Sequence, residues 1–93
     1  MEITIKERDN KGFALARQND ERMGMMTYSV ASPELIIIDH TEVEESYKKQ
    51  GVGLKMLEAL VDRAREKSQK ILPLCPFANA MFRRHKELQD VLK

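Results

Sequence analysis

At 93 residues the chain has room for one domain, spanning 1–93, with a real but modest core. Hydrophobic residues make up 42% and charged residues 33%, a balance that fits a soluble globular protein and excludes wholesale disorder. Sixteen basic residues against fifteen acidic ones leave a charge of +1, so bulk charge gives no reason to expect nucleic acid or an anionic membrane as partner. The single cysteine, Cys75, forms no intramolecular disulfide and fits a reducing compartment. The segment MEITIKERDN lacks the apolar stretch of a signal peptide, and the longest purely apolar run, Leu35–Ile38, is too short to span a bilayer. The expected location is the cytoplasm. One cysteine and two distant histidines offer no zinc ligand set, and without tryptophan there is little for a base-stacking platform.

Glu2–Lys6 alternates with the strand period, Ile3 and Ile5 sharing a face. DNKG (Asp9–Gly12) signals a turn, Phe13–Arg17 resumes a strand, and QNDE (Gln18–Glu21) marks the next reversal. Arg22–Ala31 reads as a longer strand, with Met26, Tyr28 and Val30 alternating, until Ser32-Pro33 breaks it. ELIIIDHTEV follows, its aliphatic run predicting a strand covered on both faces. From Gly51 the period becomes helical: Val52, Met56, Leu57, Leu60, Val61 and Ala64 share one face, and Lys55, Glu58, Asp62, Arg63 and Glu66 fill the other. Ile71–Leu74 is a short apolar strand. Pro76 suits the first turn of a last helix, on which Ala78, Met81, Phe82, His85 and Leu88 fall on one face. The expected fold is α+β, in the order β-β-β-β-α-β-α. The sheet is mixed and mainly antiparallel, with the fourth and fifth strands parallel because a helix joins them.

Two of the four glycines, Gly51 and Gly53, stand at the start of the best amphipathic helix, although glycine costs roughly 1 kcal/mol per interior helix site. A helix start offers unpaired N–H groups and the positive end of the macrodipole, an anion site that glycine leaves open to a phosphate. Lys48, Lys49 and Lys55 add cations around it. The plainer reading is a tight turn into a helix.

KKQGVG between a strand and a helix, preceded by HTEV and followed by LCPF, resembles the small, minimal members of the GNAT superfamily, the acetyl-CoA-dependent N-acetyltransferases. The resemblance is specific over the C-terminal half. It implies a V-shaped splay between the fourth and fifth strands, with pantetheine in the gap against Thr41, Glu42 and Val43. It implies pyrophosphate on the amides of Gln50, Gly51, Val52, Gly53, Leu54 and Lys55, beside Lys48 and Lys49. Pro76 and Phe77 of LCPF, Asn79, and Arg83 or Arg84 are the implied contacts on the last helix. Lys48 departs from the arginine or glutamine that opens the loop in the family, keeping charge but losing the planar donor fork. Many relatives carry a tyrosine acid on the last helix; here Met81 and Phe82 occupy the comparable positions, and Tyr28 and Tyr47 lie elsewhere.

Acetyl transfer to an amine needs a base and a partner for the departing thiolate. His40 is the candidate base, since a free imidazole titrates near ~6.5; the alternative is a packed, hydrogen-bonded histidine. Cys75, ahead of a helix start, is the second candidate: it contacts or protonates the leaving thiolate, accepts the acetyl group, or is simply a small buried hydrophobe. Glu42 and Glu44 relay protons or attract a cationic amine, or else are edge-strand charges. The expected function is an acetyl-CoA-dependent N-acetyltransferase acting on an amine acceptor, a small amine or an exposed lysine, with no nucleic acid, membrane or metal, as monomer or weak dimer. The alternative is a CoA-binding or sensor domain with little turnover. Only DNKG separates the first two strands, so the helices that wall the acceptor pocket in larger relatives are expected to be missing, leaving that side open.

Overall fold

A computed structural model describes residues 1–93 as five strands and two α-helices. They run β1 (Glu2–Arg8), β2 (Lys11–Gln18), β3 (Glu21–Ser32), β4 (Leu35–Val43), α1 (Val52–Lys67), β5 (Lys70–Pro73) and α2 (Pro76–Arg84), with 3-10 turns at Glu45–Tyr47 and Lys86–Val91. The strands lie in chain order in one sheet, antiparallel except for the parallel β4–β5 pair. The expected order and mixed pairing are therefore those of the structure. The two hairpins turn on Asp9–Asn10 and Asn19–Asp20, all four with positive φ (52, 67, 52 and 66°). Both central residues of the favoured two-residue hairpin need that conformation, and Asn and Asp adopt it at least cost. The turns are thus tighter than DNKG and QNDE suggest, and Lys11, Gly12, Gln18 and Glu21 join the strands.

One face of the sheet carries the core. Ala14, Ala16, Met26, Tyr28, Ile36, Ile38 and Ile71 alternate along their strands and are fully buried. They pack against Val52, Met56, Leu57, Leu60, Val61 and Ala64 of α1, the residues the helical period selects, and against Ala78 and Phe82 of α2. The opposite face has no such cover. Phe13, Leu15, Met25, Ile37 and Leu72 are half-buried there and none packs against the core. The least dimension of the molecule, 20 Å, is that of one sheet and one helical layer. The expectation of a β4 covered on both faces is corrected: Ile36 and Ile38 are buried, but Leu35 and Ile37 are only half so. Both helices contribute to a single core, so nothing remains for the other side.

Two further corrections concern side chains. Arg63 is not a solvated helix residue; its side chain is 10% exposed. It pairs with Glu7, donates to Gln69 Oε1 at 2.7 Å and lies 5.0 Å from the centre of the Tyr28 ring. The Tyr28 hydroxyl donates to Glu7 Oε1 at 2.7 Å, so β1, β3 and α1 meet in one polar lock. The last helix does not continue to Leu88. It stops at Arg84, with His85 at φ −116° and ψ 87°. Gln89 Nε2 then donates to the freed Phe82 carbonyl at 2.7 Å, and Leu88 enters the core from the 3-10 turn.

Candidate functional site

The β4–β5 ladder starts at Leu35–Lys70 and ends at Ile38–Pro73, where the Ile38 carbonyl accepts from both Leu74 N (3.1 Å) and Cys75 N (3.2 Å). β4 runs on alone. Tyr28 pairs with Ile38 but Thr27 pairs with His40, so Asp39 is an extra residue, a bulge that bends the strand just where its neighbour stops. Beyond it β4 has β3 on one side and an open edge on the other. A cleft of about 840 Å³ occupies this region, between the end of β4 and the start of α1.

Alternation then sorts the side chains. Thr41, paired with Met26, points to the core face, where its Oγ1 is 3.1 Å from Cys75 Sγ. His40 and Glu42, paired with Thr27 and Met25, belong to the uncovered face. His40 is 67% exposed there, with Nε2 3.9 Å from Glu42 Oε1. Arg22 lies 3.7 Å from Glu42 and 3.5 Å from Glu44, so both carboxylates are partly compensated. His40 and Cys75 therefore stand on opposite sides of the sheet at the same opening.

The floor of the cleft is the start of α1. Lys49 (φ 68°) and Gly51 (φ 77°) adopt left-handed backbone on either side of Gln50, and the Lys55 amide makes the first helical bond, to Gly51 O at 3.0 Å. Three amides ahead of it have no helical acceptor. The first turn has no acidic residue and no side-chain cap, so the positive end of the dipole is uncompensated. Lys48, 3.6 Å from Glu45, and Lys49 stand beside it at the cleft.

The two glycines divide their work. At Gly51 an added Cβ meets nothing within 4 Å, and the positive φ is what the residue supplies. At Gly53 an added Cβ falls 2.2 Å from Phe77 Cζ. The space left by Gly53 is filled by the Phe77 ring, which locks α2 against the start of α1. Gly53 also lines the cleft, so it has a packing reason beside the expected one.

Of the remaining sequence candidates, Thr41, Glu42, Val43, Val52, Leu54 and Phe77 line the cleft. Gln50, Lys55, Pro76, Asn79 and Arg83 do not. Gln50 donates to Ser46 O at 3.3 Å, Lys55 lies 3.8 Å from Glu58, and Arg84 and His85 occupy the α2 side in place of Arg83. Cys75, 4% exposed, lies beneath Thr41 rather than on the surface of the cleft. Tyr47, off the last helix as the sequence has it, also lines the cleft. Desolvation, with Glu21 beside it, raises the Tyr47 phenol above its ordinary value. No periodicity marks Tyr47, which sits in an irregular turn; of the two arginines the resemblance offers, Arg84 is the one at the cleft.

An antiparallel meander followed by a β–α–β crossover, with its ladder opening onto a bare helix N-terminus, defines the N-acetyltransferase class of α+β fold. The model for the GCN5-related N-acetyltransferase family matches residues 12–91. The solution structure of a GCN5-like candidate N-acetyltransferase from Staphylococcus aureus is 36% identical, with TM-score 0.72 over 97% of this chain and 87% of that one. The fold is also that of a ribosomal-protein-alanine N-acetyltransferase from Brucella melitensis, at 17% identity and TM-score 0.71, over 83% of this chain and 62% of that one. An aminoglycoside N-acetyltransferase solved in complex with CoA gives 15% identity and TM-score 0.60, over 87% and 68%. A search of curated proteins found no match. The chain belongs to the GCN5-related N-acetyltransferases.

Proposed function

We propose that the protein binds acetyl-CoA and transfers its acetyl group to an amine. The observation that carries this reading is the coincidence of the ladder's end at Ile38–Pro73 with an α1 start free of acidic residues and caps. The residues fit the group. The amides of the first turn and Lys48 and Lys49 would hold the pyrophosphate, and the free edge of Thr41–Val43 would take the pantetheine amides. When bound, acetyl-CoA supplies an activated thioester. His40, on the open face, takes the proton of the attacking amine; Cys75 and Thr41, on the covered face, meet the side from which the thiol leaves. Both neighbours at low identity carry amine-acceptor names, which supports the class and leaves the acceptor open.

Only Asp9–Asn10 separates β1 from β2, so no inserted helices wall the acceptor side. That supports a broad or macromolecular acceptor such as an exposed lysine. No helix is long and apolar enough to cross a membrane, and the single cysteine supports a cytoplasmic site. A second reading, a CoA-binding domain with little turnover, draws on α2, where Met81 and the buried Phe82 replace the tyrosine acid of many relatives.

Titration with CoA, followed by NMR, tests the first step: amides from Gln50 to Lys55 are expected to shift and saturate. If they stay in place the cofactor site is wrong. Mass spectrometry with acetyl-CoA and a lysine-containing peptide pool separates the readings. Acetylated peptide supports the transferase; saturable CoA binding without product supports the binding domain.

A further inference from the structure

The face of the sheet turned away from the helices carries an ordered pattern. Register gives one row across it of Lys6, Phe13, Thr27 and His40, and a second of Thr4, Leu15, Met25 and Glu42. Phe13, Leu15 and Met25 thus form an apolar strip, with Lys6 at the β1 side and Asp39 and Glu42 at the β4 side; Arg8, Lys11, Ser29 and Ile37 make the next row. Lys6 and the bulged Asp39 border the same hollow, with Phe13 and Thr27 between them. Neither forms an ion pair within the chain; Asp39 only accepts from Ser29 Oγ at 2.8 Å.

We propose that this face pairs with the same face of a second copy of the chain, about a two-fold axis that runs along the strands between β2 and β3. Such an axis lays β1 of one copy over β4 of the other. Each Lys6 then lies over the opposite His40, within side-chain reach of the bulged Asp39 beside it, while Phe13 lies over Thr27 and Leu15 over Met25; the Lys6–Asp39 approach is repeated by symmetry. An axis across the strands instead lays the cationic side on itself. Two sheet faces pack about 10 Å apart with their side chains interdigitated. A standard interface takes ~800 Å² from each partner.

The pairing has a consequence for the site. His40 lies in the same row as Lys6, so β1 of the second copy lies over the face on which His40 stands, and in the dimer an acceptor reaches His40 only from the cleft end of β4. The dimer would supply a wall where the single chain has none. That consequence rests on the acetyltransferase reading; the pairing does not.

Sedimentation equilibrium of the full chain without CoA, over roughly 10 µM to 1 mM, tests it. A monomer–dimer equilibrium is expected, weakening with added salt. Lys6→Glu and Asp39→Lys should each raise the dimer Kd about tenfold, and the double variant should return it to within about threefold. Leu15→Lys, on the same face but outside the core, should give a monomer with unchanged circular dichroism. A monomer throughout, or a dimer indifferent to all of these variants, overturns the proposal. Shifts of the Phe13, Leu15 and Met25 amides on adding a lysine-bearing peptide to a monomer also overturn it, and assign the face to the acceptor. The CoA titration above reads the cofactor site separately.

Discussion

Thr41 Oγ1 lies 3.1 Å from Cys75 Sγ, across the point where β4 and β5 part. The contact ties the free end of β4 to the start of α2 and fixes which way the thiol faces. If Cys75 works at the thioester, Cys75→Ala lowers kcat at least tenfold, about 1.4 kcal/mol of barrier, while the thermal shift with CoA persists. Thiol release from acetyl-CoA measures it. Undiminished turnover in the variant would remove Cys75 from the reaction and leave it a packing residue.

Gly53→Ala sets two effects against each other. Alanine favours the helix by about 1 kcal/mol, but its methyl falls on the Phe77 ring, and overpacking of this kind costs about 1–3 kcal/mol. The clash is with the ring itself at 2.2 Å, so net destabilisation is expected in urea melts. Gly53→Ala combined with Phe77→Leu should recover part of the loss. A double-mutant cycle with no coupling refutes the packing role of Gly53.

Tyr28 sets an alkaline limit. Desolvation, followed by its bond to Glu7, pushes the phenol from 10.0 up to about 12. The folded-state value lies above the unfolded one, so the unfolded chain holds fewer protons between them and stability falls as pH rises through that window. The contribution, on the order of 2 kcal/mol, is complete below about pH 10 and gone above about pH 12. Tyr28→Phe should flatten this part of the stability profile. Parallel profiles for both proteins between about pH 9 and 11 would contradict the assignment.

Asp90 works in the opposite direction. Arg65 donates to both its oxygens, at 2.9 and 2.8 Å, and holds the carboxylate below its ordinary range. Its contribution is present at neutral pH and is lost as pH falls through the folded-state value. Asp90→Asn should therefore be less stable than the parent near about pH 7, with the gap closing toward about pH 3. Chemical denaturation at the two pH values reads the difference.

The architecture was legible because its signals are periodic. The α1 core residues follow from spacing alone, and strand order follows from turn chemistry at Asp9–Asn10 and Asn19–Asp20. What sequence left hidden depends on the third dimension. The spacing that puts Arg63 on a polar helix face says nothing of Glu7 and Tyr28 waiting there. The bulge at Asp39, which shifts the alternation by one and so puts His40 on the open face and Thr41 on the core face, has no local marker. The aliphatic run of β4 predicted two-sided burial because hydropathy cannot tell how many layers a short chain can supply. The glycine loop was readable as a motif, but Gly53 serves Phe77, a partner more than twenty residues away.

The C-terminal residues bear on how the sheet meets other molecules. Leu92 bridges to Ile71, and the Lys93 amide donates to Ile71 O at 2.9 Å, so the chain's own tail occupies the outer rim of β5. A stray strand seeking to extend the sheet finds that margin already taken. Apart from the end of β4 at the cleft, only the β1 margin stays unzipped, and there Lys6, Glu7 and Arg8 deter uninvited pairing.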